Sequence, residues 1–296
     1  MIKGSLVALI TPFQENGDVD FEALKRLVEW HIEQGTDGFV CCGTTGEAPT
    51  LSDEEHHLIF KTVITTARKR VLVIAGTGTY DTRHSVARTR EALELGADAA
   101  LVITPYYNRP TLEGCKAHFT EIGRVGLPVI IYYNPGRTGG RFSAEQLATI
   151  AQSPSVVGIK DSSGTTHFIQ ELQQYTDLPI YSGDDIFTFA HLKAGAQGAV
   201  SVVGNIIPRQ WKEMVQQCLS GNLAQAEELF NKLLPLCQSV GIETNPQGIK
   251  YAAHVMGLST PYMRLPLIQP AESTQAKIRE AISSLQELDL VGRSVL

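Results

Sequence analysis

Eight short apolar runs recur along this chain, and their starting positions lie 19 to 33 residues apart. Apolar runs without a polar residue at every second position are typical of strands that are buried on both faces, as in parallel sheets. The spacing leaves room for a helix between successive strands. The runs are residues 6–10, 38–42, 71–75, 99–103, 129–132, 156–159, 180–181 and 199–203.

Helical patterns occupy the gaps between these runs. An apolar stripe crosses residues 21–31, and Ser52 and Glu55 form a capping-box pattern before the next stripe. Eight βα units within about 220 residues predict a closed (β/α)8 TIM barrel of the α/β class. A doubly wound open sheet is the alternative, but its glycine-rich phosphate loop is represented only by residues 76–81, which lack the third glycine.

The pattern changes after Pro208, where the strand-like runs end and helical patterns continue. We therefore predict a catalytic barrel over residues 1–222 and a C-terminal helical extension over residues 223–296. The helices predicted beyond Pro208 are residues 211–219, 223–239, 246–256 and 274–285.

Composition argues against several classes of partner and site. The 31 acidic residues outnumber the 25 basic ones, so the chain lacks the basic surface that nucleic acids or anionic lipids require. No signal peptide is recognisable, and no apolar stretch approaches the roughly 18 to 20 residues of a membrane span. Five cysteines without metal-ligand spacing indicate buried free thiols in a reducing compartment. We expect a cytoplasmic protein without a bound metal.

The segments that follow the strands carry the chemically distinctive residues, as expected for a barrel enzyme, whose active site lies at the carboxyl ends of the strands. Lys160 is the most informative, because apolar neighbours on its strand would shield it from water and a neutral amine can attack a carbonyl. A lysine that reaches solvent or pairs with Asp161 is the alternative. The segments are residues 43–47, 104–110, 134–139, 160–164 and 182–185.

Two further groups suit a lysine-dependent reaction on an acid. Tyr132 ends the neighbouring strand and is a candidate proton donor and acceptor, although an ordinary buried aromatic residue fits the same position. The hydroxyls of Thr44 and Thr45 and the guanidinium of Arg137 could each bind a carboxylate. Turn chemistry and a surface arginine explain these three residues as well.

In these segments, the chain resembles the dihydrodipicolinate synthase and N-acetylneuraminate lyase family of class I, lysine-dependent aldolases. The resemblance extends over essentially the whole chain and rests on six motifs. They are GTTGE at 43–47, AGTG at 75–78, TPYYNRP at 104–110, RTG at 137–139, GIKDSSG at 158–164 and SGDD at 182–185.

The resemblance implies a catalytic group at the mouth of the barrel. Lys160 would form a Schiff base with pyruvate, and Tyr132 would be the acid and base beside it. Thr44 would join Tyr132 and Tyr107 in a proton relay, in which Tyr107 reaches the active site of a neighbouring subunit. We therefore expect a dimer, or a dimer of dimers, and no cofactor beyond the covalent pyruvate adduct.

The resemblance also implies binding positions for two substrates. Thr45 would bind the pyruvate carboxylate, and Arg137 would receive the carboxylate of L-aspartate 4-semialdehyde. Gly183 and Val200 match backbone positions that line the pyruvate pocket. Adjacent threonines and an Arg-Thr-Gly segment favour the synthase branch, which condenses these substrates to 4-hydroxy-tetrahydrodipicolinate on the route to diaminopimelate and lysine.

Two alternatives remain open. The order Asp161, Ser162, Ser163 after the lysine is also seen among sugar-acid aldolases, so a pyruvate-dependent aldolase or dehydratase for a 2-keto-3-deoxy sugar acid is the nearer alternative. An inactive barrel that binds small acids is the other. The presence of every residue of the implied catalytic group argues against an inactive barrel.

Two tyrosines compete for the catalytic position, because Tyr133 stands where the family usually has an asparagine. Successive strand residues face opposite sides, so only one of the pair can point into the barrel. The spacing to Arg137 and Lys160 favours Tyr132.

The inhibitor site of the family is only partly preserved. His56 and Tyr106 match its pattern, whereas Tyr80 and His84 stand where lysine-inhibited members carry an asparagine and a glutamate. Loss of a carboxylate weakens a site for an ammonium group. We therefore predict weak or absent inhibition by lysine.

Overall fold

The computed structural model describes residues 4–290, and these contain a closed barrel of eight parallel strands. Each strand pairs with its successor, and the last pairs with the first. This order confirms the predicted (β/α)8 barrel, and every predicted run overlaps a strand. The strands are β1 Gly4–Ala8, β2 Gly38–Cys41, β3 Leu72–Gly76, β4 Ala99–Ile103, β5 Val129–Tyr133, β6 Val156–Asp161, β7 Ile180–Ser182 and β8 Gly198–Ser201.

The strands are apolar on both faces because both faces are covered. Leu6, Val40 and Ile130 belong to a cluster inside the barrel. Val7 and Phe39, which adjoin Leu6 and Val40 in the sequence, pack outside the barrel in the larger cluster that the helices cover. Burial on both sides explains why the sequence shows continuous apolar runs instead of alternation.

Helices follow each of the eight strands in the described chain. They are α1 Phe21–Glu33, α2 Asp53–Ala67, α3 Thr82–Leu95, α4 Leu112–Gly123, α5 Pro135–Thr138, α6 Ala144–Ala151, α7 Thr166–Leu172, α8 Thr188–Lys193 and α9 Pro208–Leu219. α2 begins at the predicted capping box, in which Ser52 and Glu55 each accept the backbone N–H of the other. Those bonds satisfy donors that a helix start leaves unpaired.

The C-terminal extension consists of α10 Leu223–Val240, α11 Gln247–Val255 and α12 Glu272–Glu287. Phe230 on α10 stacks on Phe189 of α8, with ring centres 5.7 Å apart. One continuous apolar cluster contains residues of the barrel and of the extension. The predicted division after residue 222 falls in the turn between α9 and α10 and stays a prediction; residues 1–3 and 291–296 lie outside the described residues.

Residues 4–290 contain no helix that is both long and apolar enough to cross a membrane. In the same residues, no group of three or more histidine, cysteine, aspartate and glutamate side chains is arranged to hold a metal ion. All five cysteines are buried and free, as the sequence predicts.

Candidate active site

A cavity of about 360 Å³ opens at the carboxyl ends of the strands, and we call it the inner cavity. Six of the eight residues predicted to act in catalysis or substrate binding line it: Thr44, Thr45, Tyr132, Arg137, Lys160 and Gly183. The other two, Tyr107 and Val200, lie elsewhere. Val200 is buried deeper, among the side chains that fill the barrel, and Val202 borders the cavity instead.

Lys160 projects into the inner cavity from β6. The strand register places it beside Tyr132 of β5 and Tyr181 of β7. Only 6% of the residue is exposed, and its Nζ lies 4.1 Å from the centre of the Tyr132 ring. No ion pair within residues 4–290 involves Lys160. Asp161 instead accepts hydrogen bonds from the N–H and hydroxyl of Ser163, which excludes the Lys160–Asp161 pair considered above.

Tyr132 presents its phenol oxygen to the same cavity. Asn134 Nδ2 donates a 2.8 Å hydrogen bond to Tyr132 Oη. Burial, the largest single effect, raises the pKa of this phenol, but the positive charge of Lys160, the bond from Asn134 and weaker contributions from neighbouring groups together outweigh burial, so the pKa of Tyr132 lies below its ordinary value. A phenol with a lowered pKa can give up a proton and take it back during a reaction.

Tyr133 faces away from the cavity. Its hydroxyl donates to the carbonyl of Phe142 at 2.9 Å, and its ring stacks on Phe168 with centres 5.1 Å apart. Burial raises the pKa of Tyr133. Strand alternation therefore separates the two tyrosines as expected, with Tyr132 beside Lys160 and Tyr133 under the helices.

The loop after β2 brings two hydroxyls to the cavity and is held by the extension. Thr45 is 2% exposed, and its Oγ1 accepts a 3.0 Å hydrogen bond from Asn245 Nδ2. At the end of the loop, Lys250 Nζ of α11 lies 2.7 Å from the Glu47 carboxylate, and both side chains are buried. The extension therefore contacts the loop at two points.

Arg137 lies on the single turn of α5, directly after β5. Its Nη2 donates a 2.9 Å hydrogen bond to the carbonyl of Asn245. The residue is exposed and lines the cavity, where the remaining guanidinium donors can bind a carboxylate.

Gly183 permits the close approach of β7 to Lys160. A Cβ at this position would lie 2.2 Å from Ser162 Oγ and 2.7 Å from Lys160 Cε, distances at which the lysine would have to move. The glycine therefore has a steric role beside the Lys160 amine.

Three acids near the cavity were not among the predicted site residues. Burial raises the pKa of Asp184, which lines the cavity, and the charge of Lys160 partly opposes that effect. Burial also raises the pKa of Asp185 to about 6, although it accepts the backbone N–H groups of Val202 and Val203. Burial raises the pKa of Asp161, on the outer face of β6, to about 7. Two of these acids, Asp184 and Asp185, belong to the SGDD motif at 182–185.

Tyr107 is not in the inner cavity of its own chain. It is 91% exposed and adopts a left-handed backbone conformation with φ of 66°. That placement leaves its hydroxyl available to another molecule, as the expected dimer requires. Its part in a proton relay stays a prediction.

Three of the four predicted inhibitor-site residues line a second cavity, which we call the outer cavity: Tyr80, His84 and Tyr106. The rings of Tyr80 and Tyr106 meet edge to face at 5.3 Å. His56 is fully buried beneath it, where burial lowers its pKa to about 4. Thr44 and Tyr132 border both cavities.

Comparison with known proteins identifies relatives over almost the full length of the chain. The model of the dihydrodipicolinate synthetase family matches residues 1–285. A 4-hydroxy-tetrahydrodipicolinate synthase of Coxiella burnetii (strain RSA 493 / Nine Mile phase I) is 42% identical over 286 residues, covering 96% of this chain and 99% of the relative. Another, of Syntrophus aciditrophicus (strain SB), is 41% identical over 295 residues, covering 99% and 100%.

A solved structure also links the chain to this family. The chloride-inhibited dihydrodipicolinate synthase from Acinetobacter baumannii, complexed with pyruvate, superposes with a TM-score of 0.94 at 42% identity, covering 97% of this chain and 99% of that one.

Proposed function

The chain belongs to the dihydrodipicolinate synthetase family, and we propose that its inner cavity condenses pyruvate with L-aspartate 4-semialdehyde to give 4-hydroxy-tetrahydrodipicolinate. The observation that carries the proposal is the buried Lys160 amine, 4.1 Å from the Tyr132 ring, in a cavity that also presents Thr45 and Arg137. The reaction is that of a class I aldolase, a lyase of diaminopimelate and lysine synthesis. It needs no external cofactor because a lysine activates the pyruvate carbonyl.

The first half of the reaction uses Lys160 and Tyr132. The neutral lysine amine attacks C2 of pyruvate while Thr45 binds the pyruvate carboxylate, and a proton of the amine passes to the carbonyl oxygen, which becomes a hydroxyl. The phenol of Tyr132 protonates the departing hydroxyl, so that water leaves and an iminium remains. Removal of a C3 proton by the phenolate then gives an enamine. The pKa of Tyr132, lowered by the charge of Lys160, suits this exchange.

The second half needs a second carboxylate site. The enamine C3 attacks the aldehyde carbon of the semialdehyde, and the aldehyde oxygen becomes a hydroxyl by taking the proton that the Tyr132 phenol received from C3. Arg137 holds the carboxylate of this substrate. The substrate amine then attacks C2, closes the ring and releases Lys160. Gly183 keeps the space beside the lysine free during these steps.

We also propose that two subunits complete each site. Thr44 would pass protons between Tyr132 and the partner's Tyr107, whose side chain is 91% exposed in this chain. A dimer is the smallest assembly that meets this need, and a dimer of dimers is the expected one. We place the enzyme in the cytoplasm, in line with its five free cysteines.

The decisive experiment traps the intermediate and then compares substrates. Incubation with pyruvate and borohydride should add the mass of one reduced pyruvate, and an assay should show turnover with aspartate semialdehyde in preference to keto-deoxy-gluconate and N-acetylneuraminate. Absence of a covalent adduct would exclude the mechanism. An adduct combined with a preference for keto-deoxy-gluconate would favour the sugar-acid alternative.

A further inference from the structure

Asn245 joins the two carboxylate-binding residues of the inner cavity. Its Nδ2 donates to Thr45 Oγ1 at 3.0 Å, and its backbone carbonyl accepts from Arg137 Nη2 at 2.9 Å. Asn245 lies in the extension, between α10 and α11, and itself lines the cavity. One residue outside the barrel therefore contacts both predicted substrate subsites.

The segment that carries Asn245 is firmly placed. The N–H of Lys250 donates to the carbonyl of Pro246 at 2.9 Å in the first turn of α11, and the Lys250 side chain pairs with buried Glu47. Glu47 ends the loop that contains Thr45. The Lys250–Glu47 ion pair therefore links the segment that carries Asn245 to the loop that carries Thr45.

The direction of that bond has a chemical consequence. A threonine hydroxyl has one hydrogen and two lone pairs, whereas an amide NH2 group can only donate. When Thr45 Oγ1 accepts from Asn245, its own hydrogen must point elsewhere. Within residues 4–290 no other hydrogen bond occupies Thr45 Oγ1, so the hydrogen is free to be donated to a carboxylate in the cavity.

We propose that Asn245 is a positioning residue that fixes the Thr45 hydroxyl as a donor toward the pyruvate carboxylate, while its backbone carbonyl holds Arg137. The inference rests on the proposed function. The side chain of Asn245 acts on the pyruvate subsite through Thr45, and its backbone carbonyl acts on the subsite of the second substrate through Arg137. Side-chain substitutions should therefore affect the two substrates unequally, which a general loss of structure would not do.

Asn245→Asp tests the direction of the bond. Aspartate keeps the shape of asparagine but cannot donate, so the Thr45 hydrogen should turn toward residue 245 and leave lone pairs facing pyruvate. We expect the KM for pyruvate to rise by about tenfold or more, and by more than in Asn245→Ala, which leaves the hydroxyl free to turn. The KM for aspartate semialdehyde should change much less, because the backbone carbonyl remains.

A double-mutant cycle separates the hydroxyl from the new negative charge. In a Thr45→Val background, Asn245→Asp can raise the pyruvate KM only through its charge, so its effect should shrink. Asn222→Asp, the same change in the exposed turn before α10, is the matched control and should leave both KM values unchanged. Thermal melting of each variant establishes that it is folded.

Three results would overturn the inference: an equal effect of Asn245→Asp and Asn245→Ala, an undiminished effect in the Thr45→Val background, or equal changes in both KM values. Failure of the proposed function looks different, because the unsubstituted enzyme itself would then form no borohydride-trapped pyruvate adduct.

Discussion

The Nζ of Lys160 and the ring of Tyr132 lie 4.1 Å apart on neighbouring strands that pair these two residues in register. The lysine charge lowers the pKa of the phenol, and the ring forms one wall around the amine. Because both residues belong to strands of a closed barrel, their separation does not depend on the conformation of a loop. The proposed reacting amine and its proposed acid-base partner are thus positioned before a substrate binds.

Lys160→Ala should abolish the borohydride-trapped pyruvate adduct, because no other amine occupies the described part of the inner cavity. The loss should be complete by intact-protein mass measurement. Lys61→Ala, at an exposed position on α2, is the matched control and should retain the adduct. An adduct that persists in Lys160→Ala would assign the chemistry to a different lysine.

Tyr132→Phe should lower kcat by about 10²- to 10⁴-fold, the range typical of removing a general acid or base. Tyr133→Phe should keep kcat within a small factor and cost about 1 kcal/mol of stability, because it loses its hydrogen bonds with Phe142. Steady-state kinetics and chemical unfolding of the two variants give the comparison. A larger kcat effect at Tyr133 would reverse the assignment.

The barrel could be predicted from the sequence because strands that are buried on both faces appear in it as continuous apolar runs. Each strand position is apolar for a reason that does not depend on its distant neighbours, so runs such as residues 99–103 identify strands individually. The ends of those strands then place Lys160, Tyr132 and Thr45 at one mouth. Strand alternation likewise separates Tyr132 from Tyr133.

Contacts made by the extension could not be predicted in this way. Asn245 and Thr45 are 200 positions apart, and Asn245 lies in a polar turn between helices that follows no periodic pattern. The buried partners Lys250 and Glu47 are similarly remote. From the sequence alone, two charged residues such as these are expected at the surface. Whether an ion pair is buried depends on the packing of distant segments, which local sequence patterns do not indicate.

Asp161→Asn should change the pH dependence of stability. The folded-state pKa of Asp161 is about 7, raised by burial, against an ordinary value of about 4. The stability that its protonated form contributes is fully present below about pH 4 and is lost as pH rises through about 7. Asparagine mimics the protonated form at every pH. The variant should therefore gain on the order of 2 kcal/mol relative to the unsubstituted protein between about pH 5 and pH 8.

Urea unfolding at a series of pH values measures this difference directly. Asp177→Asn, at an exposed aspartate, is the control and should give a curve parallel to that of the unsubstituted protein. A parallel curve for Asp161→Asn would contradict the raised pKa.

Lys250→Met should be strongly destabilising. It leaves the Glu47 carboxylate buried, with the backbone N–H of Arg264 as a remaining donor. Removing one partner of a buried ion pair costs about 3 to 5 kcal/mol. Adding Glu47→Gln should recover part of that loss, because the unpaired charge disappears. Lys232→Met breaks an exposed pair with Glu228 and should have a much smaller effect in the same urea titration.

Lysine should not inhibit the enzyme at submillimolar concentration. Among the described residues that line the outer cavity, Asp53 is the one acid, and it already lies 2.7 Å from His84 Nε2 and 2.8 Å from Arg88 Nη2. An incoming ammonium would have to compete with these two partners and would meet the Arg88 charge.

Combining Tyr80→Asn with His84→Glu should create sensitivity to lysine, because the introduced glutamate would add a carboxylate and Asp53 would lose its histidine partner. Initial rates against lysine concentration test both statements, with His254→Glu on the exposed face of α11 as the control. Submillimolar inhibition of the unsubstituted enzyme would show that a lysine site can form without a free carboxylate in the outer cavity.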